Sequence, residues 1–213
     1  MNAPLTPELL LHAYASGIFP MSEGKDDPEV FWVDPKRRGI LPLDGFHISR
    51  SLAKRIQRGG FDVTLNQDFT GCVQACANRP ETWINDTIFS LYTALHIAGF
   101  AHSIEVWQGK NMVGGVYGVA LGSVFFGESM FSTQTDMSKV ALAYLTCHLT
   151  NSGFTLFDTQ FITDHLKSLG GIEISRAEYR RRLAQAIESE AQFQGVSPLP
   201  SAQDVVQRST QTS

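Results

Sequence analysis

Apolar residues recur at helical spacing over residues 7–17, 47–58, 68–77, 86–98, 136–149 and 176–187. They alternate with polar ones, or run continuously, over 61–65, 103–107, from 112 onward, and over 124–131 and 155–161. Local signals fix the ends. Thr6, Pro7 and Glu8 supply the cap, first turn and favourable charge of a helix that Gly17 can end. Asp68, Asp86 or Thr87, and Asp136 are placed to cap three others, while Gly99 and Gly153 can close two of them. Ser175-Arg-Ala-Glu178 has the form of a capping box for the last helix. Between residues 103 and 121 the turn Gln108-Gly109-Lys110-Asn111 predicts a hairpin.

Mixed strands and helices with antiparallel hairpins in the centre predict an α+β (mixed α/β) class. The stretch 20–42, rich in Pro, Gly and Asp, reads as irregular and marks a small N-terminal domain over 1–46. A second domain spans 47–190, and a Gln-, Ser-, Thr- and Pro-rich flexible tail spans 191–213.

With 43% hydrophobic and 18% charged residues among 213, the chain can bury a core, which excludes wholesale disorder. Its net charge of −4 excludes a polycation, so any nucleic acid must be met by a local basic patch. No apolar run reaches the about 20 residues of a membrane span, and the first residues lack the basic and apolar parts of a leader. Cys72, Cys76 and Cys147 form no even framework and read as reduced thiols of a cytoplasmic protein.

Candidate chemistry sits in three places. Residues 115–132 carry Gly115, Gly118, Gly122 and Gly127 on strand-like sequence, which suggests a surface open to a ligand, and Glu128 is the lone carboxylate there. A turn-rich hairpin with one solvent-facing glutamate fits as well. Alternation over 157–161 puts Asp158 and Gln160 on one face, where a carboxylate and a carboxamide can orient an amine and pass a proton; an edge strand with polar residues outward is equally compatible. Arg50, Lys54 and Arg58 form one helical stripe, with Lys36–Arg38 before it and Arg180–Arg182 on the last helix, and such clusters suit a phosphate backbone or a solvated face. Trp32, Trp83, Phe125 and Phe126 suit an apolar or base-stacking pocket, or a core.

Taken together, Ala13-Tyr14, Gly17-Ile-Phe-Pro20-Met21, Phe31-Trp32, Leu41-Pro42-Leu43 and His47-Ile-Ser-Arg50-Ser51 form the first blocks of a known pattern. It continues with Trp83-Ile84, Gly127-Glu128-Ser129-Met130-Phe131-Ser132, Ser138-Lys139-Val140-Ala141-Leu142 and Asp158-Thr159-Gln160-Phe161. Over residues 9–183 the chain resembles the bacterial leucyl/phenylalanyl-tRNA–protein transferases. It departs from them at Val33-Asp34 after Trp32 and at Thr133-Gln134 after Ser132.

The resemblance implies a small N-terminal domain followed by an acetyltransferase-like (GNAT) domain, with a largely antiparallel central sheet flanked by helices. It implies transfer of Leu or Phe from aminoacyl-tRNA to the α-amine of proteins beginning with Lys or Arg, which makes an N-degron for proteolysis, with no metal or dissociable cofactor. It implies Asp158 and Gln160 as the catalytic pair and Glu128 as the pocket carboxylate. Trp32 and Trp83 are expected at the donor's 3′ end, Phe125 in the aminoacyl pocket with Gly127 and Ser129 beside it, and Arg38, Arg50, Lys54 and Arg58 on the tRNA. The expected working state is a monomer off the membrane.

Two rivals stand beside this reading. An acyl-CoA-dependent N-acetyltransferase needs an Arg/Gln-x-x-Gly-x-Gly/Ala loop; Gln192-Phe-Gln-Gly195 comes nearest, but Ser197 fills the last place. A non-catalytic tRNA-binding module explains the basic stripe but leaves Glu128, Asp158 and Gln160 without a task.

Overall fold

The computed structural model describes residues 5–195 and 198–210; residues 1–4, where a leader was sought, and Ser197 of the rival loop lie outside them. In chain order the elements are α1 (Pro7–Ala15), β1 (Phe19–Met21), β2 (Phe31–Val33), β3 (Arg37–Ile40), α2 (Arg50–Arg58), β4 (Asp62–Leu65), α3 (Phe69–Ala77) and α4 (Asp86–Ile97). There follow β5 (Ala101–Gln108), β6 (Asn111–Leu121), β7 (Val124–Ser132), α5 (Met137–Asn151), β8 (Leu156–Gln160), α6 (Asp164–Ser168), β9 (Ile172–Ser175), α7 (Arg176–Ile187) and α8 (Ala202–Thr210).

A seven-stranded sheet in the order β4-β5-β6-β7-β8-β3-β9 forms the centre. Every pairing in it is antiparallel except that of β7 with β8, which α5 joins as a crossover. Strand alternation divides the sheet's side chains between two cores. Phe125, Phe157 and much of α5 lie in one; Tyr14, Phe126, Tyr92 and Tyr179 lie in the other. Helices on both faces bury them, as the mixed class predicts.

The caps behave largely as the sequence implies. Thr6, Asp68, Asn85 and Ser175 each accept a hydrogen bond from a backbone N–H of the helix that follows. Asn85, not Asp86 or Thr87, is the cap of α4. Asp136 occupies the cap position of α5 in a left-handed conformation without a capping bond, because its carboxylate pairs with Lys139 at 2.9 Å.

Two segments differ from the sequence reading. The stretch expected to be irregular holds β1 and β2, paired antiparallel, and β3, which enters the large sheet between β8 and β9. These strands have three or four residues each, too few to show a period. The expected tail, 191–213, includes residues 196–197 and 211–213, which lie outside the described residues; its described parts are packed and partly helical. Phe193 is buried and stacks on His102 and Phe125 with ring centroids 4.3 and 5.3 Å apart, and α8 buries Val205. Isolated apolar residues in polar sequence anchor this segment, a pattern that composition averages away. Among the described residues no helix is long and apolar enough to cross a membrane.

Candidate functional site

The parallel strands β7 and β8 pair at Val124–Leu156, Phe125–Phe157 and Phe126–Asp158. β7 runs on to Ser132 and β8 to Gln160 with no further pairing between them among the described residues, so the sheet opens at this point. Two irregularities aim side chains into the opening. On β7 the register with β6 slips by one: Gly118 faces Gly127, yet Tyr117 faces Ser129, which leaves Glu128 as an extra, bulged residue. A Cβ at Gly118 would overlap the Phe126 carbonyl, so the bulge requires glycine there. On β8, Gln160 adopts φ +61, a conformation uncommon for a residue with a side chain. Its neighbour across the strand, Gly39, has no room for a Cβ, which would lie 2.7 Å from the Phe161 backbone.

Glu128 lies at the centre. Tyr14 from α1 donates to its Oε1 at 2.6 Å, Tyr92 from α4 donates to its Oε2 at 2.7 Å, and Gln160 Nε2 donates to Oε1 at 2.8 Å. The two tyrosine hydroxyls are themselves 2.6 Å apart. Burial pushes the Glu128 carboxyl up to about 7, against the opposing effect of those three hydrogen bonds, and the charge of Asp158 adds to the rise. Both tyrosines are held well above their ordinary range, by burial first and by the Glu128 charge second. The cluster therefore holds a carboxylate that exchanges a proton near neutrality between two phenols that stay protonated. Glu128 and Gln160 are 8% and 7% exposed, so both keep a thin contact with the outside.

Asp158 is different. It is fully buried and its oxygens are taken up by protein donors. Oδ1 accepts from Arg38 Nε at 2.9 Å and from the Gln160 backbone N–H at 2.8 Å. Oδ2 accepts from Arg38 Nη2 at 2.6 Å and from the Tyr179 hydroxyl at 2.7 Å. Asp158, expected with Gln160 as the catalytic pair and as the group that holds Gln160, meets the site here through the backbone N–H of Gln160. Arg38, expected on the tRNA, has a side chain that is 1% exposed and bound to Asp158.

The remaining candidates fall around this centre at different distances. Trp83 is half-buried beside Tyr92, with ring centroids 6.4 Å apart, so it adjoins the Glu128 cluster. Trp32 is exposed on β2, opposite Pro20. Ser129, next to Glu128, accepts from Arg79 Nη2 at 2.9 Å. Gly127 lies against Phe157, whose ring would be 2.7 Å from a Cβ. Phe125 points to the opposite face and is fully buried among Phe154, Phe157 and Phe193. Arg50, Lys54 and Arg58 are exposed along α2, which packs on the core through Leu52 and Ile56. None of the three has an ion-pair or side-chain hydrogen-bond partner among the described residues. The other basic clusters are largely neutralised: Arg37 pairs with Glu173, Arg180 with Asp34, and Arg181 and Arg182 with Glu178. Glycine close packing accounts for Gly118 and Gly127 better than the open surface expected from sequence.

Tyr14 stands in the Ala13-Tyr14 block without an assigned role, and Tyr92 and Tyr179 escape a reading by motif, because a buried tyrosine looks like any other apolar position of a helix. Their only sequence signal is a polar-tipped residue where a helix should be purely apolar.

Comparison with known proteins gives a consistent result. The family described as leucyl/phenylalanyl-tRNA protein transferase matches residues 40–184, and the leucyl/phenylalanyl-tRNA protein transferase N-terminal domain matches residues 3–36. A leucyl/phenylalanyl-tRNA–protein transferase of Ruegeria sp. (strain TM1040) is 64% identical over 98% of this chain and 99% of its own. Another, from Cereibacter sphaeroides (strain ATCC 17025 / ATH 2.4.3), is 65% identical over 98% of both. The crystal structure of FemX superposes with a TM-score of 0.51 at 14% identity, over 79% of this chain and 66% of that one, a likeness of fold alone. The fold is the acetyltransferase-like (GNAT) one, with a separate N-terminal piece. This chain belongs to the leucyl/phenylalanyl-tRNA–protein transferase family.

Proposed function

We propose that this family member transfers Leu or Phe from aminoacyl-tRNA to the α-amine of a protein that begins with Lys or Arg, creating an N-degron for proteolysis. The reading extends to a monomer working in the cytoplasm. What supports it most is the pairing of Gln160 with Glu128 at the opening between β7 and β8, in a chain that matches the named relatives end to end. A plain RNA-binding module has no use for a buried carboxylate that titrates near neutrality.

The donor is an ester, already activated. The nucleophile is an α-amine with a pKa of about 7.7–8.0, so roughly a tenth is neutral near pH 7. Positioning is the main task, and holding two reactants together can supply several kcal/mol. The Gln160 amide oxygen, which has no hydrogen-bond partner among the described residues, orients the attacking amine. As the C–N bond forms, the amine loses a proton to Glu128. As the ester C–O bond breaks, the terminal ribose oxygen regains one, with the neighbouring ribose hydroxyl as relay. Asp158 serves as a positioning residue behind Gln160.

The domain reading is kept in outline: a small N-terminal piece, here supplying Tyr14, completes a catalytic unit formed by the rest. Trp83 and the exposed Trp32 hold the donor's 3′ end, with Ser129 and Gly127 along the way in. The Leu or Phe side chain takes an apolar pocket at the opening, with Phe125 packed behind it against Phe157 rather than on its surface; there shape gives about 1–3 kcal/mol per methylene and branching at the β-carbon is rejected by clash. Arg50, Lys54 and Arg58 meet the acceptor stem.

The deciding experiment incubates the protein with leucyl-tRNA or with acetyl-CoA and a peptide beginning with Arg, and weighs the product. A gain of one leucyl residue from the first donor alone supports the reading. An acetylated peptide, or no change with either donor, rejects it.

A further inference from the structure

We propose that Arg38 and Tyr179 are positioning residues for the transfer: together they fix Asp158, and through its Oδ1 the backbone of Gln160, so that the Gln160 carboxamide stays on Glu128 at the opening. The inference rests on the proposed function and names the residues that prepare its site.

The geometry is specific. Arg38 meets Asp158 with two parallel hydrogen bonds, 2.9 Å from Nε and 2.6 Å from Nη2, the bidentate fork that lysine cannot reproduce. Its third nitrogen donates to the Gly17 carbonyl at 3.0 Å, just beyond α1, the helix that carries Tyr14 to Glu128. The guanidinium is held between two rings, 4.6 Å from the centre of Phe19 and 4.4 Å from that of Tyr179. The Tyr179 hydroxyl then donates to Asp158 Oδ2 at 2.7 Å. One arginine therefore joins three elements at the site: the end of α1, strand β8, and helix α7.

A buried ion pair is a poor means of gaining stability, because desolvation offsets most of its attraction, and apolar replacements are often neutral. Its use here is directional. Gln160 stands in a left-handed conformation whose N–H turns inward onto Asp158 Oδ1. With Asp158 free to rotate, that N–H loses the carboxylate that fixes its direction.

The experiment uses the full-length chain and two variants that keep the cluster filled. Arg38→Lys keeps the charge and loses the fork. Tyr179→Phe keeps the ring over the guanidinium and loses the hydroxyl. With leucyl-tRNA and an Arg-starting peptide, kcat is expected to fall roughly 10- to 100-fold in Arg38→Lys and several-fold in Tyr179→Phe, with the donor KM within about twofold of wild type. Placed on a Gln160→Ala background, neither change should lower kcat further, as expected of residues acting through Gln160. Full additivity on that background overturns the proposal. So does a raised donor KM with unchanged kcat and a shallower salt dependence, which would return Arg38 to the RNA. Hydrogen exchange at the Gln160 backbone N–H gives a readout that needs no activity: protection should drop about tenfold or more in both variants. Unchanged exchange overturns the proposal even if the wild type transfers nothing, an outcome that would reject the functional reading separately.

Discussion

Gln160 donates from Nε2 to Glu128 Oε1 at 2.8 Å across two strands that have already stopped pairing. The contact replaces the sheet hydrogen bonds that end at Phe126 and Asp158. It depends on a bulge on one strand and a left-handed residue on the other, so two local departures from regular β-structure converge on one hydrogen bond. The buried aspartate two residues earlier keeps the second departure in place without entering the opening.

Removing the Gln160 side chain should therefore damage chemistry more than binding. Gln160→Ala is expected to lower kcat by about 10²-fold or more while the donor KM stays near wild type. Steady-state kinetics with varied leucyl-tRNA settles it. A rise in KM with intact kcat would place Gln160 among the binding residues only.

Glu128 should impose a pH dependence of its own. Its folded value, about 7, stands above the ordinary 4.5, so between these the folded protein holds a proton that the unfolded chain has released. The stability tied to this residue is complete below about 4.5 and declines as pH rises to about 7. Activity should move the opposite way, rising around pH 7 as the folded carboxylate becomes able to accept a proton. Glu128→Gln is expected to flatten the melting temperature between these limits and to remove the rise in kcat. Wild-type kcat that stays level from about pH 6 to 8 would remove Glu128 from the proton path.

The long, strongly patterned elements are legible in the sequence, and so is the pair of strands that carries Glu128 and Gln160. Period and caps fix α1, α7, β5 and the start of β6 to within a residue or two, since each rests on local chemistry. Arg38 shows the limit. Three consecutive basic residues look like a nucleic-acid contact, but strand alternation turns the third inward to Asp158, 120 positions later in the chain. Such a pairing depends on where β3 enters the sheet, and a four-residue strand declares neither its partners nor its faces. Phe193 and Val205 were hidden for the same reason, their partners being distant in sequence.

Gly127 tests whether the opening tolerates any added width. A methyl group there would stand 2.7 Å from the Phe157 ring and 3.4 Å from the Asp158 carbonyl. Phe157 cannot retreat, being packed on Phe125 with centroids 5.6 Å apart. Gly127→Ala should cost about 1–3 kcal/mol by overpacking and lower kcat by moving Glu128. Gly24→Ala, where nothing lies within 4 Å, is the control and should leave both unchanged. Thermal melts and turnover numbers measured side by side decide the matter: equal behaviour of the two variants would mean that β7 and β8 adjust freely at this point.

The basic stripe of α2 makes the last prediction. Arg50, Lys54 and Arg58 project from one side of the helix while Leu52 and Ile56 anchor the other, so all three can be replaced without touching the core. They lack acidic partners among the described residues, unlike Arg37 and Arg180–182, whose charge is already answered inside the protein. A cation with no internal partner releases counterions when it meets a phosphate, and each such contact adds about 0.7–0.9 to the slope of log affinity against log salt. Changing the three to alanine should raise the donor KM and reduce that slope by roughly two to three units, with kcat at saturating donor preserved. Changing Arg180 alone should do neither, because its charge is already met by Asp34, which Arg176 also holds. A triple variant with the wild-type slope would assign the stripe to solvent and move the tRNA path to another face of the sheet.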